Sequence, residues 1–217
     1  MRIIFANQKG GVGKSTLCIL FANYLASKNK SVAIIDTDLQ CTASEKRKKD
    51  AVVFEDVEVP YPIQLWDTQK SDITEFMQQA KEVQGAVLFD TPGNISDDSI
   101  LPVFLNADAI ICPYEYSELA LDSTGTFIQV IQQLERKFPE MRPQLIFVPN
   151  KVRENVGTAS EQDIWKKTDD IFRQFGQVSP RVKLRANVGR LNTYQLMTGQ
   201  VDSCKDTFDF IIAQLGL

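Results

Sequence analysis

Residues 9–16 read Lys9-Gly10-Gly11-Val12-Gly13-Lys14-Ser15-Thr16. Glycines, lysines and hydroxyls at this spacing can bind phosphate. The glycines let backbone N–H groups converge on phosphate oxygens without side-chain obstruction. The apolar segment Ile3-Ile4-Phe5-Ala6 precedes the run, and a helical pattern over residues 17–26 follows it. Strand, glycine-rich turn and helix is the context a phosphate-binding loop needs. The helix N-terminus adds its positive dipole end at the same point. Lys14 supplies a point charge for the outer phosphates and Ser15 a hydroxyl for Mg²⁺. The expected ligand is a nucleoside triphosphate, cradled by Gly10, Gly11, Val12, Gly13, Lys14, Ser15 and Thr16.

Carboxylates end two later apolar runs. Ile34-Ile35-Asp36-Thr37-Asp38-Leu39-Gln40 carries two acids, and Ala86-Val87-Leu88-Phe89-Asp90-Thr91-Pro92-Gly93 carries one. Carboxylates beside Mg²⁺ and a γ-phosphate can hold the metal's waters and align an attacking water. Asn150 ends a third apolar run, Leu145-Ile146-Phe147-Val148-Pro149. Its amide offers a donor and an acceptor to the edge of adenine. The following residues, Lys151-Val152-Arg153, lack the acid of a guanine-reading N-K-x-D motif, which favours ATP over GTP.

The whole segment from Asn7 to Thr16 resembles the deviant Walker A loop of the ParA/MinD ATPases. Gln8 stands where the usual loop has its first glycine. Lys9 matches the family's signature lysine, which reaches the partner's phosphates in a nucleotide-sandwich dimer. The resemblance gives Asp38 the attacking water and Asp36 and Asp90, with Ser15, the Mg²⁺ shell. Leu39 stands where that family usually has proline. Gly93 would approach the γ-phosphate as a switch, and Asn150 would contact the base. The resemblance covers essentially the whole chain and becomes loose after residue 150. It is closest to small plasmid-type ParA proteins.

Net charge is −4, which does not by itself point to nucleic acid. Its distribution says more. From Arg173 to Val201 the cations Arg173, Arg181, Lys183, Arg185 and Arg190 occur with no carboxylate. A local basic face can bind phosphodiester backbones despite a negative whole-chain charge. In short ParA relatives, basic residues toward the C-terminus bind DNA without sequence preference. Arg181, Lys183, Arg185 and Arg190 are the candidates. Lys46-Arg47-Lys48-Lys49 reads as an exposed helix end.

The elements that must position these residues alternate between strand and helix. Strands are expected at residues 2–7, 31–36, 64–67, 86–90, 109–113 and 144–149, with another near 178–184. Helices are expected at 14–27, 71–82, 96–105, 119–138, 161–175, 188–198 and 207–215. Residues 51–62 read as an edge strand or loop. Continuous apolar strands such as Val32-Ala33-Ile34-Ile35 suit a parallel sheet covered on both faces. The expected fold is α/β: a three-layer, mostly parallel twisted sheet in one domain spanning residues 1–217. Ligand should sit at the carboxyl ends of the strands.

Composition narrows the function classes. Histidine is absent, which removes histidine catalysis and ligation. Cys18, Cys41, Cys112 and Cys204 lack C-x-x-C spacing, so a cluster or zinc site is not expected. No apolar run has the length of a membrane span, and no signal peptide is read. The final residues carry one cation against two acids from Lys205 onward, unlike a basic membrane-docking helix.

The resemblance therefore implies a cytoplasmic, nucleoid-associated ATPase for plasmid or mobile-element maintenance. It would form an ATP-dependent homodimer with Mg²⁺ and bind DNA non-specifically. A ParB-like or other adaptor protein would stimulate hydrolysis. A positioning ATPase for a protein cargo or conjugation machinery is the alternative. A small-molecule ligase on the same fold is a third class, which the Lys9 signature disfavours.

Overall fold

The computed structural model describes residues 1–38, 40–67, 73–93, 98–153, 158–185 and 188–217. Leu39 and the expected starts of the helices at 71 and 96 lie outside them. The strands are β1 (Arg2–Phe5), β2 (Val32–Asp36), β3 (Ile63–Leu65), β4 (Ala86–Asp90), β5 (Ala109–Tyr114), β6 (Gln144–Pro149) and β7 (Gln177–Val178). They form one sheet in the order β3-β2-β4-β1-β5-β6-β7, and every pairing is parallel. The helices are α1 (Lys14–Ser27), α2 (Thr42–Val53), α3 (Thr74–Glu82), α4 (Leu101–Leu105), α5 (Glu118–Lys137), α6 (Ala159–Phe172) and α7 (Thr198–Leu215).

Alternation along each strand builds two cores. Ile3 and Phe5 of β1 pack with α1 and α7 through Leu17, Phe21 and Phe208. Ile4 and Ala6 face the other side, against Met77 of α3, Phe104 of α4, and Phe127 and Ile131 of α5. Both faces are dry, which explains the unbroken apolar strands.

Three expectations need correction. The sequence reading gave only a helix end at residues 46–49 and an edge strand or loop over 51–62, yet α2 runs through Thr42–Val53. Its apolar pattern is poor, burying only Ala43, Ser44 and Asp50. The expected helix over 188–198 is a short 3₁₀ turn, Val188–Arg190, and the helix proper starts at Thr198. The Asn192 side chain accepts from the N–H groups of Tyr194 and Gln195, a local turn that competes with helix. The strand expected near 178–184 is only Gln177–Val178, and Pro180, with no N–H to donate, follows closely.

Candidate functional site

Strand register assembles the site. Asp90 at the end of β4 lies opposite both Phe5 at the end of β1 and Asp36 at the end of β2. The glycine loop and two carboxylates therefore leave the sheet at one level. Threonines lock the tips together. Thr37 donates its N–H and hydroxyl to the Asp90 carbonyl at 3.0 and 2.8 Å. The Thr91 hydroxyl donates to the Phe5 carbonyl at 2.9 Å.

The loop is held from below by Asn7. Its amide donates to Pro113 O at 2.7 Å and Thr124 Oγ1 at 2.9 Å, and its Oδ1 accepts from the Lys9 N–H. Sequence reading gave Asn7 no separate role; a polar residue ending an apolar strand was the available signal. Gly13 has φ +100°, and a Cβ there would meet Asn150 Nδ2 at 2.3 Å. Gln8 is outside the left-handed region, so the loop does not need glycine there.

Helix α1 starts at Lys14 with no side chain capping it. Its first-turn N–H groups are left for a ligand. They border a cavity of about 380 Å³. Gly10, Gly11, Gly13, Lys14, Ser15 and Thr16 line one side, and Asp38, Gln40, Thr42 and Gly93 the other. Val12 differs from its neighbours: its side chain is buried, and its carbonyl accepts from Asn150 Nδ2 at 2.7 Å. A Cβ on Gly93 would lie 3.6 Å from Lys14 Nζ, so Gly93 sits against Lys14.

The buried charges are strained in a way a ligand can relieve. Asp90 is fully buried, and neither carboxylate oxygen has a hydrogen-bond partner. Burial pushes its pKa up to about 7. Ser15, close by but outside hydrogen-bond geometry, and Lys14 act against that rise, while Asp36 and Asp38 add to it. Lys14 is also buried, and desolvation holds its pKa below the usual lysine value despite Asp90 and Asp38. A divalent cation beside Asp90 and an anion on Lys14 would remove both penalties.

Asp36 is placed differently. Its Oδ2 accepts from the Ser44 N–H at 2.9 Å and hydroxyl at 3.0 Å, and its Oδ1 from the Asp38 N–H at 3.3 Å. Burial still raises its pKa, opposed by those bonds. Asp36 thus anchors the first turn of α2 from within the protein. Asp38 Oδ1 accepts from the Gln40 N–H at 3.0 Å and borders the cavity. Lys9 adjoins the cavity through Gly10, and its ammonium has no ion pair or hydrogen bond among the described residues.

A second cavity of about 120 Å³ continues from Gly13 and Thr16. Asn150 lines it, and Asn150 Oδ1 is buried without a partner. Beside it, Lys151 Nζ donates to the Gly11 carbonyl at 2.5 Å and pairs with Glu115 at 2.8 Å. Lys183, Leu184 and Arg185 form part of the wall.

The basic candidates are therefore divided. Lys183 and Arg185 border the cavity that adjoins the phosphate loop. Arg181 lies over the rings of Tyr116 and Trp165 and pairs with buried Asp169 at 3.2 Å. Asp169 also accepts from the hydroxyls of Tyr114 and Tyr116. Arg190 is exposed. Arg47, expected on an exposed helix end, is half-buried. It donates to Thr193 Oγ1, Thr193 O and Tyr61 O, between the rings of Tyr61 and Tyr194.

Comparison with known proteins agrees with this geometry. A 43-residue stretch, 20% of the chain, is 54% identical to the chromosome-partitioning ATPase Soj of Thermus thermophilus. That match spans 17% of Soj. A putative plasmid partition protein from Borrelia burgdorferi, solved with AMPPNP, superposes with TM-score 0.72 at 16% identity. The overlap covers 98% of both chains. Cyanothece McdA, solved without nucleotide, superposes with TM-score 0.75 at 16% identity over 100% of this chain and 99% of its own. Residues 3–191 match the CobQ/CobB/MinD/ParA nucleotide binding domain. With its phosphate loop, buried Lys14 and Asp90 at the sheet's carboxyl edge, the chain belongs to that ATPase family.

Proposed function

We propose that this chain is a partition-type ATPase that closes into a nucleotide-sandwich dimer on ATP and binds DNA in that state. The observation that carries the reading is Lys9. It stands beside a complete phosphate loop, and its ammonium is uncommitted among the described residues. A side chain so placed can reach phosphates across a two-fold interface.

The residues fit ATP and Mg²⁺. The unpartnered Asp90 carboxylate and Ser15 suit the metal, and the unpartnered Asn150 Oδ1 can accept from the exocyclic amine of adenine. Bound Mg²⁺ would neutralise charge on the β- and γ-phosphates. The loop N–H groups and Lys14 hold the phosphates. Asp38 positions a water in line with the γ-phosphorus. Asp36 keeps Asp38 and α2 in place. Gly93, beside Lys14, registers whether the γ-phosphate is present. Its loss after hydrolysis removes the contacts that hold the dimer, so nucleotide state sets dimer population. Residues 1–217 act as one domain in the cytoplasm, on nucleoid DNA, with an adaptor protein stimulating turnover.

Sedimentation velocity with ATP–Mg²⁺, ADP–Mg²⁺ or no nucleotide tests the reading. The wild type should dimerise with ATP alone. Lys9→Ala should bind ATP and stay monomeric. Lys9→Ala dimerising as well as wild type would remove the sandwich role of Lys9.

A further inference from the structure

Asn150 and Lys151, side by side at the tip of β6, both reach the phosphate loop. Asn150 Nδ2 donates to the Val12 carbonyl at 2.7 Å, and Lys151 Nζ to the Gly11 carbonyl at 2.5 Å. Two consecutive loop carbonyls are thus held from one side. In a trans peptide the N–H points away from the preceding carbonyl oxygen. No peptide bond among the described residues is cis. Holding Gly11 O toward Lys151 therefore turns the Val12 N–H the other way. Holding Val12 O toward Asn150 does the same to the Gly13 N–H. Both donors are aimed away from β6, as a nest for an anion needs. Neither Asn150 nor Lys151 is among the residues lining the cavity of about 380 Å³ beside the loop.

Lys151 is held in a conformation that lysine seldom adopts. Its φ is +56°, in the left-handed region. The backbone on either side is pinned. The Asn150 N–H donates to the Tyr114 carbonyl at 2.7 Å, and the Val152 N–H to the Val182 carbonyl at 3.0 Å. Strain of this kind persists where the surroundings over-determine it, and it clusters at functional sites. The ammonium has a second partner, Glu115 just after β5, at 2.8 Å. Glu115 holds the lysine head while the Gly11 carbonyl takes one of its three donors. The loops after three neighbouring strands, β1, β5 and β6, are joined through this one ammonium.

We propose that Lys151 is a positioning residue for phosphate binding. Held by Glu115, its ammonium fixes the Gly11 carbonyl on the far side of the loop and so aims the Val12 N–H at the ligand. Asn150 does the same for the Gly13 N–H through Val12 O. The role rests on the nucleotide binding of the family and is independent of the partition reading. Lys151 also lines the smaller cavity beside Asn150, so a direct contact with the base end of the nucleotide is the competing role, and the two predict different ligands to be affected.

The test is isothermal titration of the full chain with ATP–Mg²⁺ and with inorganic tripolyphosphate–Mg²⁺, which has the phosphates and no base. Lys151→Gly should bind both ligands about tenfold more weakly, the loss expected of one charge-assisted hydrogen bond. Glycine accepts the positive φ, so urea unfolding of this variant should show no loss of stability. Lys151→Arg should recover most of the affinity, because a guanidinium can donate to the carbonyl and pair with Glu115. Glu115→Ala, which keeps Lys151, should weaken both ligands by about threefold. The Lys151→Gly loss should persist at high salt, where the plain loss of a distant positive charge would fade. A loss confined to ATP overturns the proposal and places Lys151 at the base. A loss that vanishes at high salt, or wild-type affinity for both ligands in Lys151→Gly, also overturns it. Tripolyphosphate binding that depends on Lys151 in a protein that never dimerises on ATP would count against the partition reading and leave the role of Lys151 standing.

Discussion

Asp90→Asn should stabilise the nucleotide-free protein, and only above neutral pH by its full amount. In the folded chain the carboxyl titrates at about 7, against 3.8 ordinarily, because burial leaves its charged form without a partner. Between those values the folded state holds a proton that the unfolded state has lost. Wild-type stability therefore falls as pH rises through that window. From pH 5 to pH 8 this single group costs about 2–3 kcal/mol, since each tenfold step in proton affinity is worth about 1.4 kcal/mol. Asparagine carries no charge and has no such loss. Urea unfolding at pH 5 and pH 8, with EDTA and no nucleotide, measures the difference. Asp90→Asn should gain about 2–3 kcal/mol on wild type between the two pH values. A parallel loss of stability in both proteins would refute the argument that Asp90 is buried as an uncompensated acid.

Gly13→Ala should lose nucleotide binding and about 1–3 kcal/mol of stability, because φ is positive there and the methyl meets the Asn150 amide; isothermal titration with ATP and a thermal melt read both. Arg47→Ala should cost about 2–3 kcal/mol in urea unfolding through lost ring contacts and hydrogen bonds, and Arg47→Lys should recover little of it. Asp38→Ala should keep ATP binding while phosphate release falls by about a hundredfold or more, with the ATP dimer accumulating. Normal turnover in that variant would contradict water positioning by Asp38.

The placement of the glycine loop, Asp36 and Asp90 was legible because each lies at the end of an apolar strand, where a parallel sheet must present its loops. Residues 3–16, 32–36 and 86–93 carry that pattern openly. Helix α2 was legible only as a helix end at residues 46–49. Thr42-Ala43-Ser44-Glu45-Lys46-Arg47 has helix-forming composition but no apolar stripe, and its inward contacts are polar. Its register depends on Ser44 meeting Asp36 and on Asp50 accepting from the Thr193 N–H. The second pairing spans 143 residues of sequence and leaves no local signal. The same holds for Arg181. A run of cations without acids predicts an open basic face, but Asp169 is supplied by α6, outside the run. Asp169, buried against two tyrosines, pairs with one of those cations while that cation stays exposed.

Duplex DNA binding of random sequence, followed by anisotropy with ATP–Mg²⁺, ADP–Mg²⁺ and no nucleotide, bears most directly on the central claim. Arg190→Ala belongs in the same series, because Arg190 is exposed and is not among the residues lining either cavity. The account predicts binding with ATP alone, a steep loss with rising salt, and weaker binding by Arg190→Ala at unchanged ATP affinity. Dimerisation on ATP with no DNA binding at low salt in any nucleotide state would contradict it.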